Sequence, residues 1–341
     1  MKGKPKVSII IVNYNGGELL LKAVESIYQQ TYNNFEVIVV DNASKDNSVK
    51  NLLIKYGHMK NLKVIKLKKN LGFLKGNNIG FQKTSKDSKY ILMLNNDAYL
   101  EKDTIEKLVE ILENNSSIGA IQPEIYFFDG SIQTLGNLYD IFCMGTIHLG
   151  NHLELDTNIS RRGIIYITYP CGAVTLIRKE LIDRIGFFDS KYFLYHDDID
   201  LGLRIWLYGY KVAASIGVKA YHMGGYSSGK IRVDAYFHST ISRLSLILKY
   251  YGYRDITLYL PSFLLLYIIK LIGISLRFKN PLPIYSFFKG IIWTIKNLNH
   301  IVGWRKFIWN SVIRINPRIL HKILIKNPFP ILLNRYFKKD F

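Results

Sequence analysis

The run Val7-Ser8-Ile9-Ile10-Ile11-Val12 is apolar at almost every position, the pattern of a strand buried on both faces. Leu20, Val24 and Ile27 then recur at the 3–4 spacing of one helix face and predict a helix over Glu18–Gln30. The alternation continues with a strand at Phe35–Val40, a helix over about Asp46–Tyr56 and a strand at Leu62–Leu67. A helix near Leu74–Lys83, a strand at Tyr90–Leu94 and a helix at Lys102–Glu113 complete the series. Short β-rich runs alternating with helical periods predict a parallel sheet with helices on both faces. In such sheets ligands bind outside the carboxyl ends of the strands.

Those ends are polar or glycine-rich in this chain. Asn13-Tyr14-Asn15-Gly16-Gly17 follows the first strand and Asp41-Asn42-Ala43-Ser44 the second. Asn70-Leu71-Gly72-Phe73 follows the third and Asn95-Asn96-Asp97 the fourth. Residues 115–170 carry a less regular pattern. A second α/β stretch begins with a strand at Ile164–Thr168, leading into Tyr169-Pro170-Cys171-Gly172-Ala173. It continues with a helix at Lys179–Ile185, the cluster Tyr195-His196-Asp197-Asp198-Ile199-Asp200, a helix at Leu201–Tyr208 and a strand at Lys211–Ala214. It closes at Tyr221-His222-Met223-Gly224-Gly225.

The C-terminal hundred residues change character. Leu258–Leu276 is nearly all apolar, with Lys270 its one charge, close to the lower limit for a bilayer span. Pro261, Gly273 and hydroxyl side chains argue for a helix lying in the interface instead. Leu282–Ile295 is a second apolar run, and beyond it Trp293, Trp304, Trp309 and Phe307 mix with Arg305, Lys306, Arg314 and Arg318. Tryptophan beside Lys and Arg is what a membrane interface favours. Residues 241–341 hold 17 Lys/Arg against Asp255 and Asp340, so this segment supplies +15 of the chain's net +20. Basic charge interleaved with long aliphatic runs points to an anionic membrane surface and away from nucleic acid.

At 341 residues, 48% apolar and 21% charged, the chain can bury a sizeable core and suits about two domains. The expected division is residues 1–235 and residues 236–341. Cys143 and Cys171 are too few for a disulfide scaffold or a zinc cluster, which makes a reducing compartment the expectation. The apolar run after Lys2, Lys4 and Lys6 is too short for a cleaved export signal.

Five places stand out chemically. Asp97, at a buried strand end, suits a hard divalent cation that grips phosphate oxygens, or it caps the following helix. Asp41 suits a base or ribose, or an Asx turn. Gly72 permits close backbone approach, with Asn77 and Asn78 about a turn beyond. In Asp197-Asp198-x-Asp200 three carboxylates repel one another, which raises the pKa of a candidate general base; an acidic helix N-terminus is the plainer alternative. His222 is a structural histidine or a ligand, and spacing alone does not pair it with Asp97.

Taken in order, Val7–Asn15, Val39–Ser44, Asn70–Phe73, Leu94–Asp97, Phe193–Leu201 and Tyr221-His222 resemble the motifs of inverting glycosyltransferases of family 2, over roughly residues 5–230. The likeness is nearest to the rhamnosyltransferase-like branch that builds surface polysaccharides. It implies an α/β fold of GT-A type, a mixed sheet flanked by helices, followed by a basic, apolar, helical C-terminal region. It implies a nucleotide-diphosphate sugar donor bound by Asn13, Tyr14, Asn15, Asp41, Gly72, Asn77 and Asn96, with Mg²⁺ or Mn²⁺ on Asp97 and His222. Asp198 would be the base, and Asp197 would contact the acceptor, a glycan or a polyprenyl-phosphate-linked sugar. Two positions depart from the pattern: Asn95 stands where the DxD-like triplet has its first Asp, and Asp197 where the Glu-Asp pair has Glu. The expected location is the cytoplasmic face of the cell membrane, peripheral or monotopic. A GT-A-like module that binds nucleotide sugar or glycan without turnover is the alternative.

Overall fold

A computed structural model describes residues 3–140, 146–150, 163–193, 197–224 and 232–323. Cys143, Tyr195, His196 and Gly225 lie outside the described residues. The first half contains β1 (Lys6–Asn13), α1 (Gly17–Tyr28), β2 (Phe35–Asp41), α2 (Ser48–Tyr56), β3 (Leu62–Lys66) and α3 (Phe73–Phe81). It continues through β4 (Ser88–Leu94), β5 (Ala98–Leu100), α4 (Thr104–Asn114), β6 (Ile118–Tyr126), β7 (Ile132–Thr134), β8 (Asn137–Tyr139) and β9 (Thr146–His148). Then come β10 (Ile164–Tyr166), β11 (Val174–Arg178), α5 (Lys179–Ile185), α6 (Asp197–Leu207) and β12 (Lys211–His222). The C-terminal helices are α7 (Arg232–Tyr250), α8 (Tyr253–Arg277), α9 (Leu282–Lys296) and α10 (Leu298–Phe307).

The main sheet runs β10-β12-β6-β11-β4-β1-β2-β3, with β5 on β12 and β7 on β6. The first four βα units give parallel pairs, β4-β1-β2-β3, as their alternation predicts. The sheet as a whole is mixed, because β11 enters antiparallel between β4 and β6. Alternate residues of β1 serve opposite cores: Ile9 and Ile11 pack with α1, α2 and α4, whereas Ile10 packs with the other face. Both sets are fully buried, which is why the strand reads as one continuous apolar run.

The irregular stretch 115–170 conceals β6, a nine-residue strand near the middle of the sheet. Gln122, Pro123 and Glu124 break its apolar pattern. The β6–β12 register jumps from Gln122–Ala214 to Glu124–Lys219, so Pro123 stands at an irregularity where no ladder N–H is required. β12 likewise runs to twelve residues, well beyond the expected Lys211–Ala214. Gly217, with φ +84°, carries it through the same irregularity.

The C-terminal helices cover the sheet face that also carries α3, α5 and α6. Leu244, Ile247, Tyr250, Phe263, Tyr267 and Phe287 share one core cluster with Ile91, Ile177 and Ile205. The expected boundary at 235/236 falls within the first turn of α7.

Candidate active site

Four chain segments reach one edge of the sheet through the register of their strands. Asn13 and Asp41 are paired residues at the ends of β1 and β2. Antiparallel β11 starts opposite Leu94, which brings residues 171–173 to the same edge; Asn95 N–H donates to the Ala173 carbonyl at 2.9 Å. β12 ends with His222 opposite Ala98, one residue after Asp97.

Asn13 is fully buried and organises the first group. Its Nδ2 donates to Asp41 Oδ1 (3.3 Å), Ser44 Oγ (3.0 Å) and Ser48 Oγ (3.0 Å), while its Oδ1 accepts from Asn96 Nδ2 at 3.0 Å. Asn15, at φ +52°, donates its N–H to Ser44 Oγ (2.9 Å) and accepts from Lys45 N–H (2.7 Å). Asn42 ties this group to the third strand end: its Nδ2 donates to the Gly72 carbonyl and its Oδ1 accepts from Leu71 N–H. Gly72 sits at φ +84°, and a Cβ there would lie 2.8 Å from the Phe193 ring. Asn13, Asn15, Asp41, Gly72 and Asn96 therefore form one connected cradle. Tyr14 projects from it, 46% exposed. Asn77 stands apart: its Nδ2 donates to Phe73 O within its own helix.

The second group is Asp97 with His222. Asp97 is buried, and its Oδ1 lies 3.2 Å from His222 Nε2. On the far side of the ring Nδ1 faces Gln133 Oε1 at 3.0 Å, from β7. Nε2 and the Asp97 carboxylate thus face one another across a gap that a divalent cation held by both would bridge. Asn95 Nδ2 is 3.4 Å from Nε2, and its buried Oδ1 has no hydrogen-bond partner among the described residues. These atoms fit a hard divalent cation. Among the described residues no set of three His, Cys, Asp or Glu side chains converges on one point, so such an ion would complete its shell from oxygens of a ligand or water.

The third group is the first turn of α6. Gly202 lets this helix press against Thr168 and Tyr169, placing its N-terminus beside residues 171–172. A Gly172 amide bonds the Asp198 carboxylate, as does Ile199 N–H at 2.9 Å. Burial lifts the Asp198 carboxyl well above the usual carboxylate range, and the neighbouring Asp197 charge adds to it. Burial likewise lifts Asp197 to about 6, with Asp200 contributing. Asp200 goes the other way: burial alone would raise it, but Lys249 and Arg204 hold it below the ordinary range. Half-buried Cys171 lies within the field of Asp198, Asp197 and Asp97, and loss of solvation together with these charges pushes its thiol up to about 12. That shared influence locates the α6 carboxylates and the Asp97–His222 pair around one spot.

Residues 8–186 match the profile described as glycosyl transferase family 2. The chain belongs to this family. An uncharacterised glycosyltransferase of Haemophilus influenzae is 36% identical over 121 residues, covering 36% of this chain and 37% of its own length. The uncharacterised glycosyltransferase YwdF of Bacillus subtilis is 28% identical over 193 residues, or 56% of this chain and 65% of its own. The chain thus spans under two thirds of the length of these curated relatives. Among solved structures, GalNAc-T7 with UDP, GalNAc and Mn²⁺ superposes with a TM-score of 0.60 at 16% identity, over 74% of this chain and 49% of that one. TarS residues 1–349 of S. aureus in complex with UDP-GlcNAc gives 0.58 at 17% identity, over 90% and 87%. The fold is that of the GT-A glycosyltransferases, a mixed α/β sheet flanked by helices, as the motifs imply.

Sequence reasoning singled out the strand-end acids and amides but not Gln133, Ser48 or Phe193 as parts of the site. Gln133 lies in the irregular stretch, where only the β6–β7 pairing reveals that it faces His222. Ser48 and Phe193 had no signal beyond their nearness to motifs.

Proposed function

We propose that the chain is a metal-dependent, inverting glycosyltransferase that moves a sugar from a nucleotide-diphosphate donor to a hydroxyl of a lipid-linked or growing glycan. The observation that carries this reading is the convergence, around Cys171, of the Asp97–His222 pair with the high-pKa carboxyl of Asp198. A module that only binds glycan has no use for a half-buried carboxyl whose pKa is raised well above the ordinary carboxylate range.

In this reading the Asn13–Asp41–Asn96 cradle receives the base and ribose, with Gly72 allowing close approach of the backbone. Asp97 and His222, with Asn95 beside them, hold Mg²⁺ or Mn²⁺, which when bound neutralises charge on the departing diphosphate. Asp198 removes the proton of the acceptor hydroxyl as that oxygen bonds to the anomeric carbon and the carbon–diphosphate bond breaks. One displacement inverts the centre and releases the nucleoside diphosphate. A raised pKa makes Asp198 a stronger base once it is ionised. Asp197, the residue before it, contacts the acceptor in this reading. The order of the motifs supports the rhamnosyltransferase-like branch and a role in surface polysaccharide synthesis.

The C-terminal helices support attachment to the cytoplasmic face of the membrane. Phe263, Tyr267, Leu271 and Ser275 form the buried stripe of α8, while Leu258, Leu265, Ile269, Ile272 and Leu276 are exposed. On α9, Tyr285, Phe288, Ile292 and Ile295 continue the exposed apolar surface. Among the described residues α8 is the one helix long and apolar enough to cross a membrane. Its inner face is nonetheless committed to α7: the Arg243 guanidinium lies over the Tyr267 ring at 5.3 Å, and Tyr267 Oη meets Ser239 Oγ at 3.4 Å. Those polar contacts favour a helix pair lying in the interface, its outer face in lipid and its Lys/Arg at the headgroups. Attachment there would bring a polyprenyl-linked acceptor to the site.

The test is a thermal-stability titration with UDP, dTDP and GDP, each with and without Mn²⁺. A metal-dependent rise for one nucleotide that disappears in Asp97→Ala supports the donor site and names its base; no rise with any of them overturns it.

A further inference from the structure

The acidic turn of α6 is held from outside the part of the chain that matches the family. Lys249, near the end of α7, is 2% exposed, and its Nζ lies 2.9 Å from Asp189 Oδ2 and 3.3 Å from Asp200 Oδ1. The next residue, Tyr250, donates its hydroxyl to Asp200 at 2.9 Å. The other oxygen of Asp200 takes the Arg204 guanidinium at 2.8 and 3.2 Å. Arg204 in turn donates to the Ile185, Gly186 and Phe187 carbonyls. Asp189 also meets His300 Nε2, from α10, at 2.8 Å. The ammonium of Lys249 faces the rings of Tyr192 and Trp304, each at 5.0 Å. A small cavity of about 20 Å³, bordered by Asp189, Tyr192, Asp197, Asp200 and Lys249, connects this network to the acidic cluster.

The three carboxylates of the α6 turn thus have two different fates. Asp198 and Asp197 carry no cation of their own among the described contacts, while Asp200, in the same turn, is clamped by two. The clamp makes the turn's third negative charge tolerable next to the other two and fixes the backbone from which Asp198 projects. We propose that Lys249 is a positioning residue for the transfer reaction: from the C-terminal helical region it holds the acidic turn of α6, and with it Asp198, without touching substrate. The C-terminal helices then belong to the catalytic machinery as well as to the membrane-facing surface. This inference rests on the reading of Asp198 as the base.

The experiment compares full-length wild type, Lys249→Met, Lys249→Arg and Asp198→Asn. The assay is hydrolysis of the nucleotide sugar whose nucleoside diphosphate stabilises the wild type with Mn²⁺, with water in place of the acceptor. For Lys249→Met the expected result is a kcat at least tenfold lower with KM and the Mn²⁺-dependent thermal shift nearly unchanged. Removing the cation leaves the surroundings of Asp198 more negative, so the acidic limb of kcat moves to higher pH; Lys249→Arg restores most of the rate. The groups around the change are Asp189, Asp200, Arg204, Tyr192, Tyr250 and His300. A kcat within twofold of wild type, or a lower kcat with an unmoved acidic limb, overturns the proposal. Should Lys249→Met not fold, Lys249→Met with Asp189→Asn leaves the pocket charge-balanced around Asp200–Arg204, and the kcat-against-KM comparison is made on that variant. Asp198→Asn keeps the two readings apart: full activity there sinks the base assignment, whereas the Lys249 variants judge the positioning role.

Discussion

Asp97 Oδ1 and His222 Nε2 stand 3.2 Å apart, brought together by the antiparallel register of β5 and β12. The ring orientation depends on Gln133, whose Oε1 lies 3.0 Å from Nδ1. Asp97→Ala is expected to abolish the Mn²⁺-dependent part of nucleotide binding. Gln133→Leu leaves both ligands in place but frees the ring, and outer partners of this kind are typically worth ~10–100-fold in metal affinity. Isothermal titration of Mn²⁺ in the presence of the preferred nucleoside diphosphate checks both, and equal affinity in Gln133→Leu and wild type refutes the orienting role.

The Asp197 charge raises the pKa of Asp198 on top of burial, while Asp197 is itself raised by burial and by Asp200. A base works only when ionised, so the rate is expected to fall as pH drops through the raised pKa of Asp198. Asp197→Asn removes the negative neighbour, lowers that pKa and moves the acidic limb to lower pH. Asp198→Asn is expected to lose ~10²–10⁴-fold in rate, the usual contribution of a general base, with donor binding retained. A pH profile of kcat for the three proteins tests this; a limb that stays fixed in Asp197→Asn contradicts the coupling.

The parts of this site that follow a local rule were legible in the sequence. Asn13, Asp41 and Asp97 end apolar runs, and the carboxyl edge of a parallel sheet is where such residues matter. The pairing of Asp97 with His222 was not legible in their spacing, because it depends on the register of two strands distant in sequence; the family resemblance alone put both on one ion. β6 was hidden for the same reason: it lies in the stretch 115–170 whose pattern is less regular, and only the irregular pairing with β12 explains Pro123 and Glu124. Lys249 read as one more charge of a basic segment. Its burial between Asp189 and Asp200 is a tertiary fact with no periodic signature.

The exposed apolar faces of α8 and α9 predict binding to lipid vesicles that contain phosphatidylglycerol. Leu265 and Ile292 are 61% and 54% exposed, so glutamate at both positions disturbs little packing but opposes insertion into an anionic surface. Leu265→Glu with Ile292→Glu is expected to leave thermal stability within a few degrees of wild type while greatly reducing flotation with the vesicles. Undiminished flotation of this double variant would rule out the α8–α9 face as the attachment surface.

Glu36 provides a check on the fold that does not involve the site. Its carboxylate is buried, accepting from Ser8 Oγ (2.6 Å), Ser85 N–H (2.6 Å) and Lys63 Nζ (2.7 Å). Burial opposes ionisation, but Lys63, Ser8 and Ser85 outweigh it and lower the pKa from the ordinary 4.5 to about 2. The folded state therefore binds this proton less readily than the unfolded chain. Its contribution is fully present above about pH 4.5 and is lost as pH falls toward 2. Glu36→Gln is expected to be less stable than wild type at neutral pH, with the gap closing across that window. Urea unfolding at a series of pH values measures the gap, and a difference that stays constant from neutral pH to the acid end would show that the ionised carboxylate is not what Ser8, Ser85 and Lys63 stabilise.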